Sequence, residues 1–159
     1  MERLVVAVNG SNASIQAVET ACQIVEREGD VICVDVEDIA EFYRDYALNA
    51  YGGALVLEPD NYHREWEQEA EHIHERIQKI AQKHHRTLRW IVVPLEPGKG
   101  SVAEAINEVA LKEKADGIIV GRHRGTAFME GLLGSVPRWL VTHSVLPVIV
   151  VPPPSKSSR

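Results

Sequence analysis

Sixteen residues, Gly121 to Val136, hold the residue types in this chain best suited to gripping an anion. They open with Gly121-Arg122-His123-Arg124-Gly125-Thr126 and close with Gly131-Leu132-Leu133-Gly134-Ser135-Val136. Before them stands Asp116-Gly117-Ile118-Ile119-Val120, an apolar run that reads as a buried strand; after them Pro137 to His143 reads as a helix. A glycine-rich junction between strand and helix can aim backbone N–H groups and a helix N-terminus at a phosphate. Arg122 and Arg124 add two guanidinium groups whose forked donors match phosphate oxygens. The same loop also reads as a tight turn whose arginines pair with surface carboxylates and whose His123 is a hydrogen-bonded loop residue.

Other chemistry fares less well. Ser135 has no base evident in the sequence, no G-x-S-x-G elbow exists and no carboxylate pair stands out, so no catalytic residue is expected. Gly98-Lys99-Gly100-Ser101 fails as a phosphate loop, which needs lysine directly before the hydroxyl residue and a glycine further upstream. Glu69, His72, His74, His84 and His85 do not share one helix face at ligand spacing, so no metal site is expected. Cys22 and Cys33 read as small buried hydrophobes in a reducing compartment. The formal net charge of -6 argues against a general nucleic-acid or membrane-surface binder. With no secretory pattern and no membrane-length apolar run, the expectation is a soluble cytoplasmic protein.

Strands and helices alternate around that loop. Leu4 to Val8 is a continuous apolar run suited to a strand covered on both faces. Asn9-Gly10-Ser11-Asn12 supplies turn chemistry, with Ser11 or Asn12 the N-cap of a helix carrying Ala13, Ala17, Val18, Ala21, Ile24 and Val25 inward until Gly29 stops it. Val31 to Val36 is the second strand. From Glu37 to Asn61 the pattern weakens, and Tyr43, Tyr46, Tyr51 and Tyr62 are expected to pack against the domain. An amphipathic helix runs from Pro59 to about Arg86, with Trp66, Ala70, Ile73, Ile77, Ile80 and Ala81 inward and its histidines on a solvated face. Leu88 to Val93 is the third strand, and Pro94 to Gly100 a loop. Ser101 and Glu104 form a capping box for a helix with Val102, Ala105, Ile106, Val109 and Ala110 inward. The fourth strand ends at Val120, a helix starts near Ser135, and Pro147 to Val151 is the last strand, closed by Pro152-Pro153-Pro154.

Five strands alternating with about four helices argue a single α/β domain, a doubly wound parallel sheet with helices on both faces, over residues 1–152, followed by a disordered tail from 153 to 159. Ligands of such sheets bind outside the carboxyl ends of the strands, where strand order reverses. That rule gathers Asn9 and Gly10, Val36 and Gly121 around one crevice, closed by Gly134, Ser135 and Val136. Val148, Ile149, Val150 and Val151 form an apolar edge that pairing with a second copy would cover.

The glycine loop resembles that of universal stress proteins, which carry a glycine, two residues, a second glycine, nine residues, then Gly-Ser or Gly-Thr. Gly121 matches the first glycine and Gly134-Ser135 the closing pair; Arg124 stands at the second glycine with the spacing kept, and His123 at a position where many members have histidine. The resemblance covers nearly the whole chain and implies strand order 3-2-1-4-5, the fold shared with adenine-nucleotide hydrolases, and pairing as a homodimer through the last strand. It implies ATP or AMP as ligand, any hydrolysis of which would be slow and incidental, with Val8 and Val36 lining the base, Asn9 at the position of the first-strand aspartate, and Gly121, His123, Gly134, Ser135 and Val136 around ribose and phosphate, where the Arg124 guanidinium is a further candidate phosphate contact. Asn9, Arg124 and Pro137 depart from the family pattern. A carboxylate at position 9 would accept stronger hydrogen bonds than the amide, by about 1 kcal/mol. A side chain at position 124 costs roughly 1–2 kcal/mol if the backbone is left-handed there. The expected role is a stress-response or regulatory binding module. The rival readings are a member acting through a regulatory protein partner without nucleotide and, from another class, an adenylating or hydrolysing enzyme, for which residues 8–14 make a poor pyrophosphate loop.

Overall fold

The computed structural model describes residues 1–38, 59–122 and 133–154, with backbone alone at 59–67 and 69. Along the chain it has β1 (Arg3–Val8), α1 (Asn12–Ile24), β2 (Asp30–Asp38), α2 (Pro59–Lys83), β3 (Leu88–Leu95), α3 (Val102–Lys112), β4 (Gly117–Gly121), α4 (Ser135–His143) and β5 (Val148–Val151). The sheet is five-stranded in the order β3-β2-β1-β4-β5 and every pairing is parallel, as expected. Tyr43, Tyr46 and Tyr51, the Tyr62 and Trp66 side chains, and the tail from 155 onward fall outside the described residues.

Each central strand alternates between two cores. Leu4, Val6 and Val8 of β1 with Val31 and Cys33 of β2 face α1 and α2, meeting Ala17, Val18, Ala21 and Ile77. Val5, Ala7, Ile32, Val34, Ile118 and Val120 face α3 and α4, meeting Ala103, Ile106, Ala110 and Leu140. The apolar residues Leu4 to Val8 of β1 are thus spent on both sides, the pattern of a parallel strand covered by helices on each face. Cys22 and Cys33 are free and buried, and burial pushes their thiols up to about 11 and about 12.

Three elements differ from their expected limits. α1 stops at Val25, well before Gly29, and Ile24, expected inward, is 43% exposed. The Arg86 guanidinium, beyond α2, donates to the carbonyls of Cys22 in the last turn, of the C-cap Val25 and of Glu26 and Arg27 just past it, and so holds the chain in its turn out of the helix. β3 runs through Pro94 to Leu95, since an edge strand tolerates a residue lacking its N–H. α2 ends at Lys83, and His85 takes a left-handed φ of 53° in the turn that follows. Its histidines are also more engaged than a solvated face implies: His84 Nε2 lies 2.6 Å from Glu19 Oε1, and His74 packs on Trp90 with ring centroids 4.4 Å apart.

Candidate functional site

β1 and β4 part before their ends. Their last paired residues are Val6 and Ile119, and continuing that register by two brings Gly121 level with Val8. After β1 the chain turns into α1 on one face; after β4 it leads to α4 on the other. That divergence is the switch point at which a doubly wound sheet opens a crevice.

The β1 side of the crevice is a rigid turn. Ser11 caps α1, its hydroxyl accepting from the Ser14 N–H at 3.1 Å. The buried Ser14 hydroxyl donates to the Ser11 carbonyl at 2.9 Å and accepts from the Asn9 N–H at 3.4 Å. Asn9 is exposed, and its side-chain Oδ1 accepts from the Ser11 N–H at 3.1 Å. Gly10 sits at φ +76°, and a Cβ there would lie 2.5 Å from the Ile73 side chain of α2. Glycine at this position therefore serves both the left-handed turn and the close seat of α2.

Gly121 plays a different part from the one its place in a phosphate-binding loop suggests. A Cβ on it would come within 2.8–2.9 Å of the Ala13 carbonyl carbon, the Ala13 Cβ and the Ser14 nitrogen. Its missing side chain is what lets the first turn of α1 seat against the end of β4. The Arg122 N–H donates to the Val151 carbonyl at 2.7 Å, and the Arg122 carbonyl accepts from the Gly134 N–H at 3.1 Å. Arg122 and Gly134 are therefore tied together, and α4 starts beside the end of β4.

Gly134 is the N-cap of α4 and supplies no side-chain cap. Ser135 and Val136 are the first two helical residues, whose N–H groups lie beyond the reach of intrahelical bonding, while Pro137 is buried and carries no N–H. The helix dipole reinforces the pull of those two donors on an anion. Asn9, Gly121, Gly134, Ser135 and Val136 thus belong to one end of the sheet; His123 and Arg124 lie outside the described residues.

Val8 and Val36 do not line one surface. Val8 pairs in register with Asp35, not Val36, so the two valines point to opposite faces; Val8 is 5% exposed under α1, and Val36 is half-buried against the α3 and α4 side. Only Val36 offers a side chain toward that face of the crevice. Asp35, which the sequence reading passed over, is a half-buried carboxyl beside Val8, and burial, then the charge of Glu37, holds it above the usual carboxylate range. An acid inside the run Val31 to Val36 was the signal available.

A hollow of about 520 Å³ lies at the opposite end of the sheet, lined by Glu2, Arg3, Glu26, Arg27, Glu28, Gly29, Asp30, Lys114 and Asp116. Its charges are largely spent on one another and on backbone: Arg3 pairs with Asp30 at 3.0 Å, the N-terminal ammonium with Glu26 at 2.9 Å, and the N–H groups of Arg3 and Glu2 hold the Asp116 carboxyl below its usual range. Despite its volume, it sits at the amino ends of the strands, where this architecture does not hold ligands.

Comparison with known proteins agrees with this fold. The model of the universal stress protein family matches residues 1–152. A universal stress protein of Methanocaldococcus jannaschii is 29% identical over 158 residues, 98% of this chain and 84% of that protein. Among solved structures, the hypothetical protein MJ0577, whose biochemical function was assigned from its structure, superposes with a TM-score of 0.71 at 23% identity over 98% of each chain. A universal stress protein in complex with cAMP gives 0.61 at 22% identity, covering 96% of this chain and 98% of that one. One from Archaeoglobus fulgidus in complex with dAMP gives 0.60 at 18% identity, covering 95% and 98%. Likeness at these identities speaks for the fold.

Proposed function

We propose, since this chain belongs to the universal stress protein family, that it is a stress-response or regulatory binding module that takes a nucleotide, ATP or AMP, at the carboxyl ends of β1, β2 and β4. The observation that carries the reading is the meeting of two features at one end of the sheet: the α4 N-terminus with no side-chain cap, and the Asn9 turn across the β1–β4 divergence. The phosphates lie against the Ser135 and Val136 N–H groups, and the nucleoside extends over Asn9 and Val36. Relatives of the same fold bound to cAMP and dAMP support the ligand class.

The protein works as a binder and not as an enzyme, it resides in the cytoplasm, and it pairs as a homodimer through Val148, Ile149, Val150 and Val151. In support, β5 ends the sheet order and its first three residues keep partial exposure, leaving an apolar edge to cover. Among the described residues no helix is long and apolar enough to cross a membrane.

Thermal unfolding with added nucleotide tests the ligand. ATP or AMP at a hundred times its Kd stabilises the fold by about 2.7 kcal/mol, a rise of roughly 5–11 °C in Tm for a domain of this size. An unchanged Tm at millimolar ATP and AMP refutes the reading. Light scattering on the eluting protein tests the pairing, with a dimer expected for the wild type and a monomer for Val150→Lys.

A further inference from the structure

The pairing through β5 proposed above is the ground for a narrower inference about its register. β4 and β5 run parallel, with Ile118 level with Val148, Val120 with Val150 and Gly121 with Val151. The Ile118 N–H donates to the Pro147 carbonyl at 2.9 Å and the Arg122 N–H to the Val151 carbonyl at 2.7 Å. Backbone polar groups alternate in direction along a strand, so Pro147, Ile149 and Val151 turn theirs to β4, and Val148 and Val150 turn theirs outward. β5 ends the sheet, and among the described residues nothing pairs with its outer edge. That edge therefore offers two N–H groups and two carbonyls.

The edge is bounded on both sides. Pro152 follows it with no N–H to give. The Leu146 N–H before it donates to Ser144 Oγ at 3.1 Å. A two-fold axis lays β5 antiparallel to its copy and leaves three ways to oppose the outward residues. Val150 against the second copy's Val150 sets each Val148 opposite Pro152, and the Val148 carbonyl finds no donor. Val148 against the second copy's Val148 sets each Val150 opposite Leu146, whose N–H is already spent, and the Val150 carbonyl is orphaned. Val148 against the second copy's Val150 meets all four outward groups of each strand, and the carbonyls left over belong to Leu146 and Pro152 at the open ends of the ladder.

We propose that the homodimer takes this last register, with its two-fold axis at Ile149. Val148 and Val150 exchange four backbone hydrogen bonds with the second copy and pair their side chains on the α3 and α4 side of the sheet. The two Ile149 side chains meet across the axis, on the α1 side, as a non-hydrogen-bonded pair. Because the strands run antiparallel, the carboxyl ends of the two sheets, and the two nucleotide crevices with them, point to opposite ends of the dimer.

Single cysteines read the register. In this one the two Cα atoms at position 149 lie about 4.5 Å apart, within the span of a disulfide, whereas those at position 148, or at position 150, are offset by two residues and lie about 7–8 Å apart, beyond it. The native Cys22 and Cys33 are buried and leave the edge clear. Under diamide, which takes up the two electrons and two protons of a thiol pair, Ile149→Cys should form covalent dimer at least about tenfold faster than Val148→Cys or Val150→Cys, as non-reducing electrophoresis records. Val148→Cys combined with Val150→Cys sets the two opposite each other and should restore cross-linking, which covers the case in which Ile149→Cys fails to fold. Either single valine variant matching or outpacing Ile149→Cys overturns the register and leaves the β5 dimer standing. A wild type that is dimeric by light scattering while no variant cross-links overturns pairing through β5, and a monomeric wild type overturns the dimer itself; the register falls in both cases.

Discussion

Adding one methyl group at Gly121 tests how the crevice is assembled. A Cβ there meets Ala13 C at 2.8 Å, Ala13 Cβ at 2.9 Å and Ser14 N at 2.9 Å, all closer than real Cβ contacts allow, and two of the three neighbours are backbone atoms of α1 that cannot rotate away. Gly121→Ala must therefore push the first turn of α1 off the end of β4. Overpacking of this kind costs about 1–3 kcal/mol. The substitution also restricts the unfolded chain, which returns up to about 1 kcal/mol, so the expected net loss is about 1–2 kcal/mol, or roughly 2–8 °C in Tm. Gly134→Ala is the control. Its nearest neighbours are 3.4–3.7 Å away and its φ is -58°, so the loss of a favoured cap residue and the gain from restricting the unfolded chain should cancel to within about 0.5 kcal/mol. Ala13→Gly in the Gly121→Ala background removes one of the three clashes and leaves two, so a double-mutant cycle should return only part of the loss. Urea unfolding followed by circular dichroism reads the wild type, the single variants Gly121→Ala, Gly134→Ala and Ala13→Gly, and the double variant. If Gly121→Ala and Gly134→Ala cost the same, the seating of α1 on β4 does not depend on that missing side chain, and the account of the crevice is wrong.

Gly134→Ser should raise Tm by supplying the hydroxyl that α4 lacks at its cap, while weakening AMP binding in a titration, because the new oxygen takes the Val136 N–H that the phosphate would use. Arg86→Ala strips the α1 C-terminus of donors to four carbonyls and should lower stability by roughly 1.5–3 kcal/mol in urea melts, with Arg86→Lys recovering only part. The Asp35 carboxyl is held above its ordinary range, so the folded state binds the extra proton and the charged form destabilises it; Asp35→Asn should stabilise at neutral pH, with the advantage fading as pH falls to the unperturbed carboxylate range. Cys22 and Cys33, with thiols near 11 and 12, should resist iodoacetamide in the native protein at pH 8 and react once it is unfolded, as mass spectrometry can record.

Much of this fold was legible because the central strands are apolar at nearly every position, which fits a parallel sheet covered on both faces and little else. Local capping was legible as well: Ser11 and the Ser101–Glu104 box act as their types and spacing suggest. The errors came where a residue far away decides the outcome. Nothing near Gly29 discloses that Arg86, about sixty positions on, gathers the carbonyls that end α1, and the extension of β3 through Pro94 depends on the strand being at an edge. At the site, spacing cannot separate a glycine that clears room for a ligand from one that clears room for a helix, and the nearness of Ala13 and Ser14 gives Gly121 the second role. The period of two along β1 and β2 does not by itself fix their register, so the sequence could not say that Val8 and Val36 point apart. Position 9 was read by residue type alone, whereas the direction of its amide is set by the Ser11 N–H two residues on.

The most direct test of the nucleotide site is a map of backbone amide chemical shifts during titration with AMP. The account predicts saturable shifts at Asn9, Gly10, Val36, Gly121, Ser135 and Val136, with Arg3, Asp30, Lys114 and Asp116 at the other end of the sheet unmoved. Shifts confined to that other end, or no shift anywhere at millimolar AMP, would contradict it.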